Sequence, residues 1–214
     1  MTHLLIADDH AVVRKGMIQI LRDAGVDAEI TEASDGHQAL QAVREQRFDA
    51  LLLDISMPGK SGIDVLKQLR AQDDHTPVLV LSMYAEEQYA LRLIRAGAAG
   101  YLTKESAPDQ LATAVRMVVQ GKRYISPEVA ELLADSLNQR QADADDDSNR
   151  HTQLTDREFQ VFLQLARGLG PTEIGQQMNL SVKTIASYRS RILQKMGLRT
   201  NAELTLYANR NAML

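Results

Sequence analysis

The run Ala50-Leu51-Leu52-Leu53 ends at Asp54 and passes into Ile55-Ser56-Met57-Pro58-Gly59. Unbroken apolar residues of this length are typical of a parallel strand buried on both faces, and Pro and Gly mark the loop that follows. A chain built around such a strand must cover both faces of its sheet. Asp54 is then delivered to the carboxyl edge, where ligands of open α/β sheets collect. Similar runs recur. Leu4 to Ala7 stops at Asp8-Asp9, and a helical pattern follows at once through Val12, Val13, Met17, Ile20 and Leu21. Val78-Leu79-Val80-Leu81 stops at Ser82, and Ala99-Gly100-Tyr101-Leu102-Thr103 runs into Lys104.

The pattern predicts strands near 3–7, 28–33, 49–54, 77–82 and 99–103, with helices between and after them. The last of these helices, near 107–120, carries Leu111, Ala114, Val115 and Val118 on one face and ends at Gly121. Five such units predict an α/β domain over 1–121, a flavodoxin-like fold with a five-stranded parallel sheet.

The strand ends carry compatible chemistry. Asp54 is the candidate nucleophile, Asp8 and Asp9 suit a hard cation such as Mg²⁺ directly or through water, Ser82 offers a hydroxyl, and Lys104 offers a compact cation for a phosphoryl oxygen. Taken singly, Asp8 or Asp9 would cap a helix, Asp54 would be a solvated strand end, and Lys104 a surface lysine. Five such residues in the right order at successive strand ends favour one shared pocket. Here the chain resembles, over roughly residues 2–121, the receiver domain of two-component response regulators.

The resemblance implies that Asp54 is the phosphoacceptor, Asp9 the direct metal ligand, Asp8 its water-linked neighbour, and Ser56 the donor of a backbone carbonyl to the metal. It implies Ser82 and Tyr101 as the switch pair, the hydroxyl moving to the phosphoryl group while the ring turns inward. Glu105 stands where many receivers have Pro after the lysine, so a cis bond there is not expected. A strand-end Asp also serves phosphatases of the haloacid dehalogenase type, but these need a second acid two residues later, where Ser56 stands.

The chain has 214 residues and no Cys, which excludes disulfides, thiolate metal sites and cysteine catalysis. Its five histidines, His3, His10, His37, His75 and His151, have no i, i+4 pair and read as scattered polar surface. No apolar run reaches membrane-spanning length, and no cationic leader precedes Asp8, so the expectation is a cytoplasmic protein without a membrane partner.

Charge divides the chain into three. Residues 1–121 carry a net −5, residues 122–151 a net −3 and residues 152–214 a net +4, within −4 overall. The segment 122–151 reads as a linker. It holds a helix over 127–139 with Val129, Leu132, Leu133 and Leu137 on one stripe, followed by an acidic tether, QRQADADDDSNRH, over 139–151.

Beyond the tether, Thr155 and Glu158 form a capping box, and Phe159, Phe162, Leu163 and Ala166 give the next helix an apolar face until Gly168-Leu169-Gly170-Pro171. A short helix near 171–178 holds Ile174 and Met178 inward. Asn179-Leu180-Ser181 then turns into a longer helix near 182–196, which is helix-turn-helix spacing. Ile185, Ile192 and Met196 face the core, leaving Lys183, Thr184, Ser187, Arg189, Ser190, Arg191 and Lys195 as candidate DNA contacts.

Through LTDRE, Pro-Thr-Glu-Ile and SVKTIASYRSRILQKMGL, roughly residues 152–211 resemble the helix-turn-helix output domain of NarL/FixJ (LuxR-type) regulators, and the domain is taken over 152–214. That resemblance implies a recognition helix in the major groove and a last helix near 201–211 used in dimerisation. Tyr188 replaces a histidine frequent in the pattern, and Ala186 occupies a position where other members carry a base-reading side chain. The whole reads as a transcription regulator, not a dedicated enzyme. Its implied partners are a sensor histidine kinase, double-stranded promoter DNA, a second copy when phosphorylated, and RNA polymerase. The rival is an adaptor or phosphate sink whose C-terminal bundle binds protein; salt-dependent duplex binding separates the two.

Overall fold

A computed structural model describes residues 1–83, 86–139, 147–211 and 213–214. The chain forms two compact units, Met1–Asp135 and Ser136–Leu214. Residues 140–146 of the expected acidic tether lie outside the described residues, as do the side chains of Leu132 and Leu137.

In the first unit, strands and helices alternate: β1 (Thr2–Ala7), α1 (Ala11–Asp23), β2 (Ala28–Ala33), α2 (Gly36–Glu45), β3 (Ala50–Asp54), α3 (Gly62–Ala71), β4 (Val78–Ser82), α4 (Glu86–Arg95), β5 (Gly100–Thr103) and α5 (Ala107–Val119). The strands are parallel in the order β2-β1-β3-β4-β5. Every residue of β3 and β4 is buried, which is why their sequences show no polar alternation.

Because successive side chains alternate across a sheet, Leu4, Ile6, Leu52, Leu79, Leu81 and Leu102 share one face. They form a core with Met17 and Leu21 of α1 and Leu111, Ala114, Val115 and Val118 of α5. Val12 departs from the expected stripe and is 83% exposed. One residue is a rotation of about 100° on a helix, so a stripe through Val13, Met17, Ile20 and Leu21 leaves Val12 facing outward.

The chain after α5 stays with the first unit. Tyr124 N–H donates to the Ala99 carbonyl at 2.9 Å and makes a bridge to Gly100, and Tyr124 O–H donates to Gln110 Oε1 at 2.8 Å. A side chain at Gly100 would put its Cβ 2.9 Å from that of Tyr124, so this approach requires glycine. Helix α6 (Pro127–Gln139) follows, with Val129 buried.

After the end of α6, the second unit holds a 3-10 helix (Asp147–Gln153), α7 (Asp156–Ala166), α8 (Pro171–Met178), α9 (Val182–Met196) and α10 (Asn201–Arg210). Thr155 caps α7 in the expected box with Glu158. The one-sided apolar face expected for α7 is too narrow, since Asp156 and every residue from Glu158 to Ala166 are buried. The reason is that α8, α9 and α10 all pack against this one helix. Ile174 is buried and Met178 half-buried, while Ile185, Ile192 and Met196 are buried as their spacing predicts.

The turn between α8 and α9 uses Asn179 in the left-handed region at φ 51°, and Ser181 caps α9 by accepting from Thr184 N–H at 3.1 Å. Among the described residues no helix is long and apolar enough to cross a membrane.

Candidate functional site

The carboxyl ends of β1, β3, β4 and β5 bring Asp8, Asp54, Ser82 and Lys104 into one pocket. The Lys104 ammonium lies 2.7 Å from Asp8 Oδ2 and 3.0 Å from Asp54 Oδ2, so it bridges two carboxylates from different strands. Its backbone N–H donates to the Ser82 carbonyl at 2.7 Å, which ties the end of β5 to the end of β4. Asp8, Asp54 and Ser82 are buried, and Tyr101 is buried two residues before Thr103. The Lys104–Glu105 bond is trans.

Burial pushes the Asp54 carboxyl up; the Lys104 ammonium pulls it back and the Asp8 carboxylate pushes it further, and the net direction is above the ordinary value. Burial alone would lower Lys104, but the Asp54 and Asp8 carboxylates outweigh it and the ammonium is held above its ordinary value. Asp54 Oδ1 is buried with no donor in hydrogen-bonding geometry, although the Ser56 backbone N–H also pulls the carboxyl down. A buried carboxylate oxygen left in this state is costly. A hard cation would satisfy it, and the carboxylate-rich donor set fits one.

Supporting residues were not singled out from the sequence. Asp8 Oδ1 accepts from the His10 backbone N–H at 2.8 Å, and Arg14, paired with Glu32 at 2.7 Å, donates to the Asp8 carbonyl at 2.8 Å. At Gly62 a Cβ would sit 2.1 Å from the Asp54 carbonyl oxygen, so the loop carrying Asp54 closes only over glycine. Ser61 caps α3 just before it, in a box with Asp64. The signal was present in Ser61-Gly62 ahead of an apolar helical stripe. Ser56 is exposed. His10 lies on the protein surface as expected, yet its Nδ1 is 2.9 Å from Asp9 Oδ1.

In the second unit, Lys183, Thr184, Ser187 and Arg191 line one shallow cleft of about 290 Å³ together with Ser181 and Tyr188. The Arg191 guanidinium lies over the Tyr188 ring at 5.8 Å from its centroid. Ser190 is exposed, with its hydroxyl donating back to the Ala186 carbonyl at 3.1 Å. Two candidates have side-chain partners within the unit. Arg189 donates from Nε to Asn201 Oδ1 at 2.7 Å, and the Lys195 ammonium pairs with Glu158 Oε2 at 2.6 Å.

Two family models match this chain. Residues 4–116 match the response regulator receiver domain, and residues 152–208 match the bacterial regulatory proteins of the luxR family. The chain belongs to the NarL/FixJ response regulators. As a response regulator it is similar along its full length to Response regulator UvrY of Escherichia coli, at 34% identity covering 100% of this chain and 96% of the relative. Oxygen regulatory protein NreC of Staphylococcus epidermidis is 36% identical, covering 99% of this chain and 98% of the relative. Among solved structures, RcsB from Salmonella enterica serovar Typhimurium, bound to a promoter in the presence of phosphomimetic BeF3-, has a TM-score of 0.63 at 23% identity, covering 98% of each chain. At that identity the likeness speaks for the fold. A two-component transcription regulator of this family is a switch protein, not a metabolic enzyme.

Proposed function

We propose that this response regulator is controlled by phosphorylation of Asp54. The observation that carries the reading is the buried Asp54 carboxylate sharing the Lys104 ammonium with Asp8. An oxygen of Asp54 attacks phosphorus; a P–O bond forms as the P–N bond of a kinase phosphohistidine breaks, and the imidazole nitrogen keeps the electron pair and takes a proton. Lys104 and Ser82 bind the transferred oxygens. Asp9, Asp54 and the Ser56 backbone carbonyl would hold Mg²⁺, with Asp8 reaching it through water. When bound, the ion would offset charge on the phosphoryl group. Ser82 and Tyr101 form the switch, and the donor is a sensor histidine kinase.

The output unit binds double-stranded promoter DNA through α9, using Lys183, Thr184, Ser187, Ser190 and Arg191. Their clustering on one cleft-bearing face supports this. Arg189 and Lys195 serve the packing of the unit, as their partners Asn201 and Glu158 suggest. The phosphorylated chain acts in the cytoplasm as a homodimer and engages RNA polymerase. In functional terms the receiver runs over 1–121, the linker over 122–151 and the output domain over 152–214. Mg²⁺-dependent labelling with a small-molecule phosphodonor tests the site: wild type labels, and Asp54→Asn does not. Equal labelling of the two proteins would remove Asp54 from this role.

A further inference from the structure

Because the Lys104 ammonium meets carboxylates from two different strands, the place of its backbone decides whether it can reach both. Two sets of contacts flank that backbone. On the strand side, Lys104 N–H donates to the Ser82 carbonyl at 2.7 Å. On the helix side, the chain turns from β5 into α5 across Lys104 and Glu105, and three hydrogen bonds close the turn. Ser106 N–H donates to Thr103 Oγ1 at 3.1 Å, Thr103 Oγ1 donates to Ser106 Oγ at 2.9 Å, and Ser106 Oγ donates to the Thr103 carbonyl at 3.1 Å. Lys104 is bracketed by the two hydroxyls.

Ser106 stands at the N-cap of α5, where a serine hydroxyl ordinarily accepts from a backbone N–H of the first helical turn. Here it makes no such bond, and its backbone lies at φ −82°, ψ −12° instead of the extended conformation of a capping residue. Ser61 and Thr155 show the contrast, each capping its helix from an extended backbone. Helix α5 does without the cap because Pro108 has no N–H to satisfy and Asp109 N–H donates to the Ser106 carbonyl at 3.2 Å. The hydroxyl is thereby directed backwards, onto the residue before Lys104.

We propose that Thr103 and Ser106 are positioning residues for phosphoryl transfer, their paired hydroxyls holding Lys104 where its ammonium meets Asp8 and Asp54. This rests on the reading of Asp54 as phosphoacceptor. A lysine stem is flexible enough to reach one carboxylate from many backbone positions, but contacts of 2.7 Å and 3.0 Å to two carboxylates leave few. Glu105 leaves the turn soft, since only proline locks φ, and the hydroxyl pair supplies the restraint. Neither hydroxyl touches the reacting atoms in this account. Both act through Lys104, which binds an oxygen of the transferred group.

The test uses the full-length protein labelled with acetyl phosphate in MgCl2. Thr103→Val and Ser106→Ala should each slow labelling roughly tenfold, as expected for a reacting group displaced by a fraction of an ångström, while Thr103→Ser keeps the hydroxyl and labels within about twofold of wild type. Calorimetric titration with MgCl2 should give the same affinity in all four proteins, because Lys104 does not hold the cation. A wild-type rate in either hydroxyl-deleted variant, or Thr103→Ser as slow as Thr103→Val, overturns the proposal. So does a parallel loss of Mg²⁺ affinity, which would mean general loosening of the receiver. Failure of the wild type to label overturns the Asp54 reading and this inference together. Amide hydrogen exchange of the wild type provides a check that needs no variant: the Ser106 N–H should be protected, and exchange at the rate of a free peptide overturns the closed turn.

Discussion

The Lys195 ammonium sits 2.6 Å from the carboxylate of Glu158, which is buried at the start of α7. A lysine whose position on α9 suggests DNA is thereby used to fasten that helix to the centre of its own unit. The same Glu158 oxygen accepts from the Thr155 backbone N–H at 2.8 Å, so one carboxylate both completes a cap and anchors α9.

Lys195→Ala should therefore destabilise the output unit by about 1–2 kcal/mol, since it leaves a buried carboxylate without its cation while the partly exposed lysine limits the loss. The salt slope of duplex binding should stay unchanged. Urea unfolding followed at the output unit, together with a salt titration of DNA affinity, checks both; a slope reduced by one unit would return Lys195 to the phosphate contacts.

The same pair predicts an acid sensitivity. Burial works to raise Glu158, but the Lys195 hydrogen bond and the Thr155 cap outweigh it, and the carboxyl lies below its ordinary value. A group depressed in the folded state stabilises above its unfolded value, and that stability is lost as pH falls through the folded one. Midpoints of unfolding measured from neutral to acidic pH should fall less steeply for Glu158→Gln than for wild type.

Lys183→Ala and Arg191→Ala should each weaken duplex binding and lower the salt slope by about one unit, with little change in stability. Both residues are exposed around the α9 cleft. Arg189→Ala should do the reverse, costing stability through the lost Asn201 contact, with a smaller change in slope. Fluorescence anisotropy with labelled promoter fragments over a salt series separates the two patterns.

Asp54→Asn should stabilise the receiver unit in the absence of divalent cations while abolishing labelling. Asp54 is raised above its ordinary value by burial, so the folded state holds its proton more tightly than the unfolded state and loses stability as pH rises through that interval. An uncharged amide removes the effect. A thermal midpoint lower than wild type in chelator at neutral pH would contradict this account.

Gly62→Ala should cost about 1–3 kcal/mol and slow labelling of Asp54, because the added Cβ meets the Asp54 carbonyl oxygen at 2.1 Å and the loop must move. Labelling rate and chemical unfolding of the same variant check the two effects together.

Local patterning determined much of this protein. Apolar runs that end in Asp54, Ser82 and Lys104 specify buried parallel strands, and a parallel sheet places all their ends on one edge, so the pocket follows from strand type and order alone. The Thr155–Glu158 box, Pro171 and the Asn179–Ser181 turn likewise fix the helices 171–178 and 182–196, because caps and turns are short-range chemistry. What depends on residues far apart in the chain came only from the tertiary structure. Val12 has the right residue type for a core but the wrong angle about α1. Lys195 and Arg189 read from the sequence only as cations on a helix, and their pairing with Glu158 and Asn201, distant in the chain, is visible only in three dimensions. Gly62 is required by the approach of the Asp54 backbone, and His10 joins the acidic pair only because the turn after β1 brings its ring back. A one-dimensional pattern records periodicity and residue type. Which long side chain finds which distant partner is decided by packing.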